Sequence, residues 1–272
     1  MAERVASVER RGTSSPRRSG RRRRPPGWVP NQHGAWAMLI APVVLGALLA
    51  SRLDWRHLLL LAFVVSGYLA FFATGLWLKS RRKARYLPPL RAYLPLAALL
   101  GLGVLAAAPH LLAWAPLFAL PLAIGLYASA TRDERSIWSG LATTAGATLL
   151  TPVAYDVTGG WGDQTATVWW ATAALGGYLA GTVFYVKTMI RERGAKGWAL
   201  ASLGWHVLAL LVVAMIPDVV DRVSDHPAAT AVYVLLLLRS MLFPRYRLSP
   251  KAVGIIEIVA TVAVVLALGL TG

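Results

Sequence analysis

Long apolar stretches separated by short polar segments occupy the chain from residue 28 to its end. A run of about 20 apolar residues is long enough for an α-helix to cross a bilayer. Such runs occur nine times, at 33–51, 58–79, 92–108, 111–130, 136–155, 166–188, 198–217, 228–243 and 252–271. The pattern predicts an all-α integral membrane bundle of about nine transmembrane helices. Only residues 108–110 part the third and fourth runs, so eight spans is the main alternative.

Basic residues sort onto one side of the nine predicted spans. If the N-terminus lies inside, 25 of the 28 Lys and Arg residues fall in the N-terminal tail or in the loops after spans 2, 4, 6 and 8, with Arg239 counted in the last loop. Segments rich in Lys and Arg stay on the cytoplasmic side of a membrane. We therefore expect a cell-membrane protein whose N-terminus is cytoplasmic and whose C-terminus is extracytoplasmic.

Composition supports the membrane location and narrows the chemistry. Of the 272 residues, 57% are hydrophobic and 15% are charged, whereas a soluble domain carries about 25% charged residues. Residues 1–27 hold nine Arg and little that packs, which predicts a disordered cytoplasmic tail before a transmembrane domain at 28–272. The net charge of +16 then reflects topology and attraction to membrane lipids, and no nucleic-acid partner is expected. The absence of cysteine excludes disulfides, thiolate metal sites and cysteine nucleophiles.

A short sequence recurs at an offset of 110 residues. Gly-Tyr-Leu-Ala at 67–70 is repeated at 177–180, and at the same spacing Arg81 corresponds to Arg191. Both segments belong to predicted helices that end in a basic cluster, four spans apart. This predicts two tandem four-helix halves plus a ninth helix, and such repeats often frame a binding site at their interface.

Five ionisable residues are predicted to lie near the cytoplasmic edge of the bilayer: His33, Lys79, Lys187, His206 and Glu257. Polar groups in a membrane are costly and mark a cavity or pathway by default, so we expect these side chains to face one cytoplasm-facing cavity. The alternatives are that the lysines extend to the interface, that His206 packs between helices, and that Glu257 pairs with a neighbouring helix. No metal-ligand spacing is present, and neither a metal nor a cofactor is predicted.

The entry to the first span is the most distinctive segment. Asn31, Gln32, His33 and Trp36 place four hydrogen-bonding side chains where a helix enters lipid. Asn31 suits a helix N-cap, and the first amides of a helix favour an anion. These four residues therefore belong to a candidate anion site. The alternative is that His33 and Trp36 are ordinary interface residues of an aromatic belt.

The same segment carries a family resemblance. Pro30, Gln32-His33-Gly34-Ala35-Trp36, Pro42 and Gly46 resemble the N-terminal hallmark of the YwiC-like family of bacterial multi-pass membrane proteins. The similarity extends over most of the chain in the number of spans and the placement of basic loops. It implies a membrane location and names no reaction.

A more distant resemblance concerns topology. Nine helices, an internal N-terminus and equivalent loops after spans 2 and 6 resemble the UbiA-type prenyltransferases, which implies a UbiA-like bundle. In that family, Asp-rich motifs at these loops hold magnesium and a prenyl diphosphate. Here residues 74–83 contain no carboxylate and residues 187–193 contain one, too few to hold two magnesium ions. Lys79, Arg81, Lys187 and Arg191 favour direct binding of an anionic head group without metal.

Three interpretations of function stay open. One is a UbiA-like protein that binds an anionic lipid or isoprenoid head group, with or without a reaction in which His206 or Glu257 acts as a base. Another is a small-molecule transporter, which requires a polar path to both faces. The third is a noncatalytic membrane assembly subunit, whose polar residues would scatter over separate helix faces.

Overall fold

Ten α-helices make up most of the computed structural model, which describes residues 27–30, 33–50, 52–162, 164–219 and 226–270, with the backbone alone at 33 and 217–219. They are α1 (His33–Leu49), α2 (Trp55–Lys79), α3 (Leu87–Ala107), α4 (Ala115–Thr131), α5 (Ile137–Thr148), α6 (Leu150–Asp156), α7 (Thr165–Val186), α8 (Lys196–Val219), α9 (Pro227–Leu242) and α10 (Pro250–Gly269). No strand occurs in these described residues, so the predicted all-α class is confirmed. Almost all of the predicted tail at 1–27, together with Asn31 and Gln32, lies outside the described residues.

The helices follow the predicted spans closely. Six helical segments of the described chain are long and apolar enough to cross a membrane: Trp55–Lys79, Ala84–Ala107, Pro109–Thr131, Lys196–Ile216, Pro227–Arg245 and Pro250–Gly269. Helices α5 and α6 run together through the predicted fifth span, because Leu149 between them has helical angles (φ −60°, ψ −19°). The chain is therefore a multi-pass membrane protein, and the exact number of crossings stays a prediction.

Proline residues shape the connection between the third and fourth spans. A 3-10 helix at Pro109–Trp114 joins α3 to α4. Proline suits the first turn of a helix because its N–H is missing and its φ is fixed. Pro88 and Pro89 begin α3 in the same way, so α3 starts five residues before the predicted span at 92–108.

One predicted loop residue lies inside a helix. Arg239 falls within α9, and its side chain is buried with 7% exposure. Its assignment to the basic loop after span 8 is therefore wrong. A charged residue can occupy an apolar run when it faces the bundle interior and pairs with another helix.

Helix α1 packs between the two parts of the chain. It approaches α6 most closely at Gly46, where an added Cβ would lie 2.1 Å from the Thr151 carbonyl oxygen, and it also packs along α10. One apolar core joins α1 with helices α7 to α10, and a second joins α1 with α2, α3 and α6. The two cores share α1 and α6, and α5 also packs against α7, so several helices join the two halves.

The 110-residue offset extends to the helix boundaries. Adding 110 to the bounds of α2 gives 165–189, and α7 spans 165–186; the pairs α3 and α8, α4 and α9, and α5–α6 and α10 also agree within three residues. In this pairing α1 is the additional helix. The packing differs between the halves, since α4 packs against α2 whereas α9 packs against α8.

Candidate functional site

A basic pocket lies where α2 ends and the chain turns towards α3. Its volume is about 480 Å³, and it is lined by Leu76, Lys79, Ser80, Arg81, Lys83, Arg85, Tyr86 and Arg132. Five of these described residues are cationic and none is a carboxylate. The pocket therefore concentrates positive charge at one end of the bundle, as an anion site requires.

Contacts between the end of α2 and the α4–α5 connection hold one wall of this pocket. Lys79 pairs with Glu134, with Nζ 2.7 Å from Oε1 and 3.0 Å from Oε2. Arg132 Nε donates to the Lys79 carbonyl oxygen at 3.3 Å. Because Glu134 already neutralises Lys79, the charge available to a ligand comes from the other four cations.

Three arginines at or beside the basic pocket have a left-handed backbone. The φ angle is 59° at Arg81, 61° at Arg82 and 65° at Arg132, and these are the non-glycine residues with positive φ in the described chain. Arg132 follows the end of α4, a position that glycine usually takes. Such a conformation costs a residue with a Cβ about 1–3 kcal/mol and tends to cluster at ligand sites. Backbone strain and positive charge coincide at this pocket.

An apolar cavity of about 520 Å³ lies deeper in the same half, between α2, α3, α4, α5 and α6, with Leu39 of α1 on its wall. Five aromatic residues line it: Phe63, Tyr68, Phe71, Trp114 and Phe118. Trp36 of the predicted anion site does not reach the basic pocket; its ring packs edge-to-face on Tyr68, with centroids 5.6 Å apart. The distinctive N-terminal segment thus supports the wall of this cavity.

Two predicted cavity residues, Glu257 and His206, meet instead in a buried polar network of the second half. Glu257 is 5% exposed and forms an ion pair with Arg239 through Oε1. Its Oε2 accepts a hydrogen bond from Thr182 at 2.9 Å and lies 3.3 Å from the Tyr178 hydroxyl. Helices α7, α9 and α10 are tied together by these contacts, which are the partners a buried carboxylate needs.

His206 completes the network from α8. Its Nδ1 lies 2.7 Å from the Ser202 carbonyl oxygen, which assigns the proton to Nδ1 and leaves Nε2 to accept from Arg239 Nη2 at 3.5 Å. The Tyr185 ring lies 4.1 Å from Arg239 Cζ, a cation–π contact. In this arrangement both His206 and Glu257 are occupied by protein partners, as expected for residues that pack and pair helices.

The remaining predicted cations lie apart from both cavities. Lys187 and Arg191 belong to a π-helix that follows α7, and neither lines the basic pocket or the apolar cavity. Lys187 Nζ lies 4.3 Å from the Trp198 ring centroid, and Arg191 is exposed. Arg193 holds this loop by donating to the carbonyl oxygens of Met189 and Leu248.

The described structure therefore places the predicted site residues in separate locations. Lys79 and Arg81 share the basic pocket, His206 and Glu257 share the buried network, and the side chain of His33 is not described. Arg239 was missed because it stands at the end of an apolar run next to a basic loop. A signal was available in the sequence: Arg239 and Glu257 lie on successive helices, α9 and α10, on either side of the same short connection.

A metal site is not supported by this geometry. No group of three or more His, Asp or Glu side chains suited to a metal ion occurs in the described part of the chain. The pocket at the end of α2 contains five cationic residues. An anion bound there would be contacted by guanidinium and ammonium groups directly.

Comparison with known proteins finds a family similarity in the first part of the chain. Residues 29–155 match the sequence profile of a family described as YwiC-like protein. This part of the chain is similar to that family. This YwiC-like segment contains every residue that lines the basic pocket and the apolar cavity, whereas the Arg239–Glu257 network lies beyond it.

Similarity to individual relatives extends over most of the chain. It is 28% identical over 244 residues to "Uncharacterized protein YwiC" of Bacillus subtilis, covering 85% of this chain and 92% of the relative. It is also 28% identical over 238 residues to "Uncharacterized protein" of Haemophilus influenzae, covering 86% and 93%. No solved structure matches the chain.

Proposed function

We propose that this protein binds the anionic head group of a phosphorylated or carboxylated membrane lipid, including isoprenoid lipids, in the basic pocket at the end of α2. The observation that carries the proposal is the coincidence, at one pocket, of left-handed arginines with four cations that form no salt bridge to a described residue. The proposal assigns binding and no reaction, because His206 and Glu257 are engaged in the separate network.

The chemistry of the pocket fits such a head group. Guanidinium groups donate paired hydrogen bonds to phosphate or carboxylate oxygens, and they do so without a metal. Basic pockets at the end of transmembrane helices bind anionic lipid head groups for this reason. The volume of about 480 Å³ is within the range of small-ligand sites.

The proposal includes an orientation and a fold. The basic pocket is taken to face the cytoplasm, with the N-terminus inside and the C-terminus outside, because the basic loops gather at this end. The bundle is taken to be a metal-independent relative of the UbiA type, supported by the repeated four-helix plan. A reporter fused after Gly272 tests the orientation, and a cytoplasmic reporter signal would overturn it.

The binding test compares lipids on the purified protein. Native mass spectrometry should detect retained dioleoyl phosphatidylglycerol but not dioleoyl phosphatidylcholine at equal concentration. The variant Arg81→Gln/Arg85→Gln should lower anionic lipid retention by about tenfold, since two charge-assisted contacts are lost. Inorganic pyrophosphate at millimolar concentration should compete if the head group alone carries the affinity.

A matched control removes the same charge elsewhere. Arg245 and Arg247 are exposed in the loop before α10 and line neither cavity. The variant Arg245→Gln/Arg247→Gln should retain anionic lipid like the wild type. Equal losses in both double variants would mean that the whole basic surface attracts lipid, and would contradict a specific pocket.

A further inference from the structure

Among the residues that the structure describes, one polar side chain at the apolar cavity of the first half has no hydrogen-bond partner. Of its polar side chains, Thr143 donates to the Ser139 carbonyl oxygen at 2.7 Å, and Trp114 Nε1 donates to Asp156 at 2.8 Å. Tyr68 lines the same cavity, and no described residue forms a hydrogen bond with its hydroxyl group. An unpaired hydroxyl in an apolar site favours a ligand that supplies a hydrogen-bonding atom.

The depth of this site requires an uncharged ligand. Tyr68 stands 11 residues before Lys79 on α2, which is about 16 Å along the helix axis. No charged residue lines the cavity among the described positions. Between the two sites α2 packs against α4 so closely that a Cβ on Gly75 would lie 2.9 Å from Ser129 Oγ. The cationic pocket therefore cannot contribute to binding at Tyr68.

Aromatic rings are held rigidly around the open space. Phe63 packs on Gly101 of α3, and Phe71 packs on Gly125 of α4, where an added Cβ would lie 2.9 Å and 2.7 Å from the respective rings. Trp36 fixes the Tyr68 ring from the other side. Positioned aromatic rings favour a flat ring that can stack or pack edge-on, beyond what an aliphatic chain needs.

We infer that this cavity binds a neutral, lipid-soluble molecule with a planar ring and a ring oxygen, of the quinone class. The ring lies among the aromatic side chains, and the Tyr68 hydroxyl donates a hydrogen bond to a ring carbonyl oxygen. The hydrophobic tail leaves through the side of the bundle into lipid. The site is distinct from the basic pocket, so either proposal can fail without the other.

Gly67 provides a direct way to fill the cavity. It lines the space, and a Cβ added there would meet no atom within 4 Å. Ala147 lines the opposite wall on α5. The variants Gly67→Leu and Ala147→Leu therefore occupy the proposed ligand volume from two sides, so that one remains informative if the other does not fold.

The experiment is a titration of the purified protein in dodecylmaltoside with decylubiquinone, with the bound fraction measured by native mass spectrometry. The wild type should bind one equivalent saturably. Filling variants should raise the apparent Kd by about tenfold or more, because the volume is taken. Tyr68→Phe should raise it about three- to tenfold, the usual effect of losing one hydrogen bond.

Controls separate this site from the others and from simple partitioning. Gly204→Leu on α8 also adds a side chain into open space and lines neither cavity, so it should bind decylubiquinone like the wild type. Arg81→Gln/Arg85→Gln should do the same. Decanol, which has the tail without the ring, should not compete. Competition by decanol, absence of saturable quinone binding, or unchanged binding in both filled variants overturns the inference.

Discussion

Tyr68 and Tyr178 stand at equivalent positions of the repeat, yet their surroundings differ. Tyr178 is 2% exposed and its hydroxyl contacts Glu257 and Thr261. Tyr68 is partly exposed and lines an open apolar cavity. A common helix plan therefore supports a sealed polar network in one half and an open ligand-sized space in the other.

The substitutions at the same offset explain this difference. Glu257 corresponds to Ala147, which lines the cavity, and Arg239 corresponds to Ser129, which packs on Gly75. Without the carboxylate and the guanidinium, no described residue of the first half bonds to the Tyr68 hydroxyl, and the small side chain of Ala147 leaves the space open. The second half is thus suited to rigidity and the first to binding.

Breaking the buried ion pair should have the largest effect. Glu257→Leu leaves Arg239 buried without its counter-charge, and the loss of one partner of such a pair costs about 3–5 kcal/mol. Thermal unfolding in detergent should show this destabilisation. The double variant Arg239→Leu/Glu257→Leu should recover most of it, and a double variant as unstable as the single one would argue against the coupling.

Gly67 and Gly177 occupy equivalent positions of the repeat, and substitution by leucine should affect stability differently at the two. Gly177 lies against α8, where an added Cβ would be 3.5 Å from Ala209, so a leucine there forces neighbours apart. Gly177→Leu should destabilise by about 1–3 kcal/mol. Gly67→Leu should unfold at the wild-type temperature or above it, because the space is open and leucine favours helix. Equal losses of stability would contradict the open cavity.

The hydroxyl groups of Tyr68 and Tyr178 should also differ in how much they contribute to stability. Tyr178→Phe should destabilise by about 1–2 kcal/mol, the size of interhelical hydrogen bonds in membranes. Tyr68→Phe should leave the stability of ligand-free protein unchanged, since no described residue bonds to its hydroxyl. The measurement is the unfolding midpoint of each variant beside the wild type, and a destabilised Tyr68→Phe would reveal a structural role.

The ion pair at the basic pocket should contribute least to stability. Lys79 and Glu134 are 43% and 30% exposed at their side chains, and exposed pairs contribute about 0–1 kcal/mol. Glu134→Gln should therefore unfold like the wild type. It should also strengthen anionic lipid binding, because Lys79 becomes available. Weaker lipid retention in this variant would place the ligand elsewhere.

Much of the fold is predictable from hydrophobic runs, because a bilayer requires about 20 apolar residues for each crossing. The helices α2 and α7 to α10 begin and end within a few residues of the predicted spans. The assignment of Arg239 to a loop was wrong for a clear reason. Counting charges along the chain cannot tell a loop cation from one that turns into the bundle to meet Glu257.

The candidate site was less predictable. Lys79 and Arg81 were placed near one another by their position in the chain, and they do share a pocket. Arg132 comes from a different connection, and only the packing of α4 against α2 brings it to the same place. Lys187 and Arg191, which the sequence grouped with these residues, do not line this pocket. They belong to a separate loop, which Arg193 holds through hydrogen bonds to the carbonyl oxygens of Met189 and Leu248.

The amino-acid sequence alone determined the multi-pass membrane character, the helix plan and its repeat, because each follows from local composition and spacing. The tertiary structure decided which buried charges pair and where space remains. Those outcomes depend on which faces of separate helices meet, and a contact such as that between Gly75 and Ser129 is not encoded in either helix by itself.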